Sequence, residues 1–335
     1  MTILWLLYLL QAAYAGKITW QENWMLKERC NAKGTGIWRL SNGSDWHLNS
    51  VQPPTRFAAN QVNLPFAVAL SRIRETFYYE PYSKVIGPEI TLESPACSGV
   101  LISSRHILTA AHCLFLNKEF TCKQSLPLRK LTAQKIRVFL GSSRGATWRD
   151  NEMVEVASVH VHQDYDDVYE ACRNKTSNDI AAIELKQDVR NSPICMPKGN
   201  ANTPQNLVSI GYGKYKGDES LQAVVHNKIF KESAIVAYTK YKNESSIAGD
   251  SGGPLIQHLF GKHYLVGILS SFVIETVTTK QGQTVPTGEV SSRFVDVREH
   301  VDWICEKTGV CPLPEGSEDQ EQPSPTASGW LLNPL

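Results

Sequence analysis

From about Leu64 to Val297 the chain alternates short apolar runs with polar, turn-rich stretches. The runs are FAVAL (66–70), SGVLIS (98–103), KIRVFL (135–140), VEVASVHV (154–161), DIAAIEL (179–185), NLVSIGYG (206–213), AIVAY (234–238), PLIQHL (254–259) and YLVGILSSFVI (264–274). All are strand-sized and rich in Val and Ile, which fit a pleated, half-buried surface. Their spacing predicts an all-β barrel or sandwich. Helical periodicity enters only near the end, where DVREHVDWICEK (296–307) puts Val297, Val301 and Ile304 on one face. No repeat of fixed period is visible.

The flanks read differently. Residues 1–15 carry an apolar run, Ile3–Leu10, then Ala13-Tyr14-Ala15, the small-residue pattern of a signal-peptide cleavage site. The run is far short of the ~20 residues that span a bilayer. Residues 16–56 are polar, rich in Asn, Trp and Lys, and contain Cys30; they read as a pro-segment. A domain is expected over 57–306. A disordered tail is expected over 307–335, Pro-, Glu- and Ser-rich from Pro312 onward.

Composition narrows the class. The 335 residues are 42% hydrophobic and 20% charged, an ordinary globular balance. A formal net charge of +1 gives no electrostatic basis for nucleic acid or a membrane surface as partner. Eight cysteines, Cys30, Cys97, Cys113, Cys122, Cys172, Cys195, Cys305 and Cys311, include no CxxC pair. In an exported chain that count points to disulfides rather than metal or redox chemistry. Sequons at Asn42, Asn174 and Asn243 are glycosylation candidates in the same setting. His160 and His162 alternate along one run without a third ligand of suitable spacing, so they read as a surface strand and no metal is expected.

The chemistry centres on Gly249-Asp250-Ser251-Gly252-Gly253-Pro254. A serine hydroxyl becomes a nucleophile when a base takes its proton and N–H donors meet the developing oxyanion. The glycines permit a tight turn in which the N–H groups of Gly249 and Ser251 serve one hole. LTAAHC (108–113) supplies His112 as base, and NDIAAIEL (178–185) supplies Asp179 to orient the imidazole. The chain order His, Asp, Ser is one of three known for this triad.

These three fragments together resemble the chymotrypsin/trypsin family of serine proteases over roughly residues 57–306. The pro-segment stretch WQENWMLKERC is also similar to secreted trypsin-like proteins of roundworms. The resemblance implies two six-stranded antiparallel β-barrels of the chymotrypsin type with a C-terminal helix. It implies His112 and Asp179 from the first barrel, Ser251 from the second, and Ser270 beneath Asp179. It implies a secreted endopeptidase made as a zymogen, acting on protein or peptide substrates and open to protease inhibitors. It needs no cofactor, and a monomer is expected. Cys97–Cys113 matches the family's histidine-loop bridge, and Cys30–Cys195 matches a bridge from pro-segment to domain. Cys122–Cys172 and Cys305–Cys311 are the remaining pairs.

The pattern departs from the family at four places. Ile247 stands where a cysteine normally braces the substrate pocket. The pocket floor falls on Ser245, uncharged, which suits an apolar or aromatic substrate residue. The pocket wall reads Ser270-Ser271-Phe272, with Phe272 in the place of a glycine, followed by a long loop rich in Thr and Gln. Family activation frees an Ile or Val amino group that pairs with the Asp before the nucleophile, here Asp250. The best candidate for that cut is Arg56-Phe57. The departures keep two other classes open: a non-catalytic secreted homologue that binds a protein partner, and an ester hydrolase.

Overall fold

The computed structural model describes residues 16–30, 37–39, 45–47, 56–59, 64–76, 89–92, 97–116, 129–140, 153–165, 178–197, 207–217, 220–226, 228–239, 245–259, 261–279 and 281–312. The expected signal segment, the three sequons and the Cys122–Cys172 pair lie outside them.

Helix α1 (Trp20–Arg29) opens the described chain, followed by a small hairpin of β1 (Ile37–Arg39) and β2 (Asp45–His47). Next come β3 (Arg56–Ala58), β4 (Ala67–Thr76), β5 (Glu89–Leu92), β6 (Cys97–Leu101) and β7 (His106–Thr109). A two-strand pair, β8 (Phe115–Leu116) and β9 (Arg129–Lys130), precedes β10 (Ile136–Leu140), β11 (Met153–Val161) and β12 (Ala181–Leu185). The second half holds β13 (Val208–Gly211), β14 (Gln222–Val225), β15 (Lys228–Lys231), β16 (Ile235–Thr239), β17 (Pro254–Leu259), β18 (Lys262–Thr278) and β19 (Thr284–Asp296), then α2 (Val301–Thr308).

Strands β10-β11-β12-β7-β6-β4 pair in that order, and β10 pairs back onto β4 to close a six-stranded antiparallel barrel. Every residue of β6 and β7 is buried, whereas the first residues of β11 alternate. Hence the central strands read as continuous apolar runs and β11 reads as VEVASV. The second sheet runs β15-β16-β19-β18-β17-β13-β14-β3. It has eight strands rather than six, and no pairing among the described residues closes it. Strand β3 comes from the border of the expected pro-segment and joins the edge at β14, with Ala223 opposite Phe57.

Several expectations are corrected here. The loop after Phe272 is a hairpin: β18 and β19 pair as far out as Thr278 and Thr284, because its Thr and Val residues suit an exposed ladder. His162 is buried, its ring 5.2 Å from those of His300 and Trp303. The stretch expected to be a pro-segment begins with a docked helix. Thr19 and Glu22 form a capping box at the head of α1, and Asn23 exchanges side-chain hydrogen bonds with the backbone of Cys311. The tail does not become irregular at 307, since α2 runs to Thr308 and ends on Gly309 at φ 79°, a left-handed C-cap. The bridges Cys30–Cys195, Cys97–Cys113 and Cys305–Cys311 are present.

Two core histidines couple the fold to pH. Burial pushes His226 down to about 3, and burial with neighbouring His258 pushes His263 down to about 3. Each stays neutral when folded and takes up a proton near its ordinary value when unfolded. Their contribution is complete above about pH 6.5 and is lost as pH falls toward about 3. Thermal melts taken at decreasing pH should therefore show a falling midpoint below that value. His226→Gln should flatten the slope even where it lowers the midpoint overall.

Candidate functional site

The site forms where three loops of the two sheets meet. His112 sits on a 3-10 turn, Ala111–Leu114, directly after β7. The Cys97–Cys113 bridge clamps that turn to β6. Asp179 lies just ahead of β12, and the β12–β7 register, Ala181 opposite Thr109, carries it to the histidine turn. Asn178 makes the approach possible with a left-handed φ of 57°, a conformation asparagine tolerates better than most residues.

Asp179 is fully buried. Its Oδ2 lies 2.7 Å from His112 Nδ1, and its Oδ1 accepts from the His112 backbone N–H at 2.8 Å. Ser270, on β18 of the other sheet, donates its hydroxyl to Oδ2 at 2.6 Å. Burial raises the Asp179 carboxyl, but the His112 charge and the His112 and Ser270 hydrogen bonds outweigh it, leaving the group below its ordinary value. One carboxylate thus fixes the orientation of the imidazole ring through Nδ1.

Ser251 belongs to the turn ahead of β17. Its carbonyl accepts from the Ser98 N–H at 2.7 Å, which draws the second sheet onto β6 of the barrel. Gly252 follows at φ 82°, and a Cβ there would collide with Thr109 Oγ1 and the Ser98 carbonyl. Only glycine allows this approach. The Ser98 hydroxyl donates to the Gly249 carbonyl at 2.8 Å and accepts from the Tyr212 N–H at 2.9 Å. Neither the Gly249 nor the Ser251 N–H has an acceptor among the described residues. The Ser251 hydroxyl and His112 Nε2 share no hydrogen bond here. Nε2 instead faces Cys113 Sγ at 3.8 Å. Such contacts commonly tighten only when substrate arrives.

The expected pocket residues divide. Ser245 and Ser246 are buried, and Ser246 Oγ accepts from Ser292 Oγ at 2.9 Å. Ser270 is buried and lies beneath Asp179, to which it donates. Phe272 is 38% exposed on the β18 ribbon. Cys97, His112 and Cys113 bring three metal-ligand atoms together, but both sulfurs are spent in the disulfide.

Arg56, expected at a cleavage point, is instead buried against Asp250. Phe57 beside it is buried in β3. The Arg56–Phe57 bond is therefore inaccessible in this conformation, and the expected cut does not fit it. The local sequence around Arg56 could not reveal a partner 194 residues away.

Compared with known proteins, the chain matches the family model described as Trypsin over residues 74–304. It is similar to phenoloxidase-activating factor 3 of Holotrichia diomphalia, 29% identical over 236 residues, 63% of this chain and 64% of that protein. It is similar to mannan-binding lectin serine protease 1 of Homo sapiens, 27% identical over 244 residues, 64% of this chain and 32% of that protein. CLIP domain-containing serine protease B4 of Anopheles gambiae is 25% identical over 242 residues, 62% of this chain and 61% of that protein. The matched stretch is under two thirds of the length of each relative.

The donors to Asp179 set a stability expectation. Ser270→Ala leaves a buried carboxylate short of one donor, which should cost about 1–3 kcal/mol in urea melts at neutral pH. Ser270→Thr, which keeps the hydroxyl, should lose less. A carboxyl held below its ordinary value stabilises above its unfolded pKa and stops doing so as pH falls through the folded one. The wild-type advantage over Ser270→Ala should therefore shrink in acid.

Proposed function

Because the chain belongs to the Trypsin family, we propose that it is a secreted serine endopeptidase working through His112, Asp179 and Ser251. Ser251 Oγ attacks the scissile carbonyl as His112 Nε2 takes its proton. Asp179 holds Nδ1–H and stabilises the imidazolium that forms. The Gly249 and Ser251 N–H groups receive the oxyanion of the tetrahedral intermediate. His112 then returns the proton to the leaving amine, and water repeats the cycle on the acyl-enzyme. Protein substrates and protease inhibitors are the partners this reading expects. An uncharged floor at Ser245 favours an apolar or aromatic side chain.

The observation that carries the reading is the 2.7 Å pair of His112 with the fully buried Asp179. The Ser251 carbonyl accepts from the Ser98 N–H, which ties its loop to the barrel that carries His112 and supports the reading. Secretion is inferred from the leader and the cysteine usage. Among the described residues no helix is long and apolar enough to cross a membrane. One observation favours the second reading, a non-catalytic protein-binding homologue: Ser245 and Ser246 are only 2% and 1% exposed. Such burial leaves the floor little exposed surface to offer a bound side chain.

A fluorophosphonate probe separates the two. The purified protein should be labelled covalently, and Ser251→Ala should abolish the signal. Asp179→Asn should slow labelling by about 10⁴-fold through the wrong imidazole tautomer. Labelling that appears only after limited trypsin treatment would mark a zymogen. A folded protein that stays unlabelled before and after treatment would give the binding reading the lead.

A further inference from the structure

Asp250, next to Ser251, is 4% exposed, and donors from three segments enclose its carboxylate. The Gly213 N–H donates to Oδ1 at 2.8 Å and the Ile247 N–H to Oδ2 at 2.9 Å. Arg56 Nη1 donates to Oδ2 at 2.7 Å, and Nη2 to Oδ1 at 3.4 Å. The same guanidinium gives Nη1 to the Ser245 carbonyl at 2.8 Å and Nη2 to the Gly213 carbonyl at 3.4 Å. The Arg56 side chain is wholly buried, with the Tyr215 ring 5.0 Å from its central carbon. Strand β3 anchors its backbone: Arg56 lies opposite Val224, and the Ala59 N–H reaches the Leu221 carbonyl.

We propose that Arg56 is a positioning residue that builds the Ser251 loop in the uncut chain, an inference that rests on the protease reading above. A carboxylate taken out of water needs a cation or several donors, and otherwise swings back to solvent. If Asp250 swung out, it would carry the flanking Gly249 and Ser251 with it and dismantle the oxyanion donors. Arg56 prevents this with a fork that matches a carboxylate. An ammonium freed by proteolysis would find both oxygens taken. The guanidinium also bonds the backbone at Ser245, so it braces the pocket floor where the chain has Ile247 instead of a bridging cysteine. Competence at Ser251 therefore does not depend on cutting the chain at Arg56.

The test uses the full secreted chain. Fluorophosphonate labelling is followed by reduction and intact mass, because Cys30–Cys195 would otherwise hide a cut. Hydrogen exchange at the Gly213 and Ile247 amides is measured in parallel. The intact wild type should label at Ser251. Arg56→Met should label about 10²-fold more slowly, the scale of losing one oxyanion donor. It should also lose protection at both amides. Arg56→Lys, which keeps a cation, should recover most of the rate, a rescue that packing alone would not give. If Arg56→Met fails to fold, the double variant Arg56→Met/Asp250→Asn removes the stranded charge and should fold yet label slowly.

Labelling confined to chains cut ahead of Ser251 would overturn the inference while leaving the protease reading intact. Wild-type rates and protection in Arg56→Met would overturn it too. If neither intact nor trypsin-treated wild type labels, the protease reading falls, and the exchange data alone decide Arg56. Lost protection then sustains its positioning role and unchanged protection ends it.

Discussion

A carboxylate can be kept from water only where donors surround it, and this fold buries two beside one loop. Asp179 takes donors from the His112 ring, the His112 backbone and Ser270. Asp250 takes them from Gly213, Ile247 and Arg56. In each case the donors belong to segments far apart in sequence. Satisfying the charge therefore fixes how those segments meet. Removing one donor strands a charge, which generally costs more than the net value of the contact itself.

The two carboxylates divide the labour between the sheets. Asp179 and His112 come from the closed barrel, yet Ser270 reaches Asp179 from β18. Ser251 comes from the second sheet, yet its carbonyl is held by Ser98 of β6. Each half therefore completes the other's part of the site. Gly252 is the point of closest approach, and the absence of a side chain there sets how near the halves come.

Much of this was legible in the sequence. The strands were visible as short Val- and Ile-rich runs, and the fragments around His112, Asp179 and Ser251 stood out by their chain order and their resemblance to the family's motifs. What escaped was long-range, or local but masked by its surroundings. The role of Arg56 depends on a partner 194 residues on, and nothing near Arg56 announces it. The buried aspartate did hint that a cation had to come from somewhere. Helix α1 was legible: Thr19-Trp20-Gln21-Glu22 spells a capping box, masked by the polar composition of its surroundings. The β18–β19 ribbon was hidden because Thr and Gln suggest a loop, although Thr pairs readily in an exposed ladder.

The Cys30–Cys195 bond ties α1 to a segment that lies beside Tyr264 in the second sheet. Any break of the backbone between those cysteines leaves a single covalent particle. The N-terminal helix stays aboard as a passenger, and such a nick would change connectivity without changing mass lost or cargo released. For a cut anywhere between those cysteines, thiol chemistry rather than the cut itself governs whether that helix can leave.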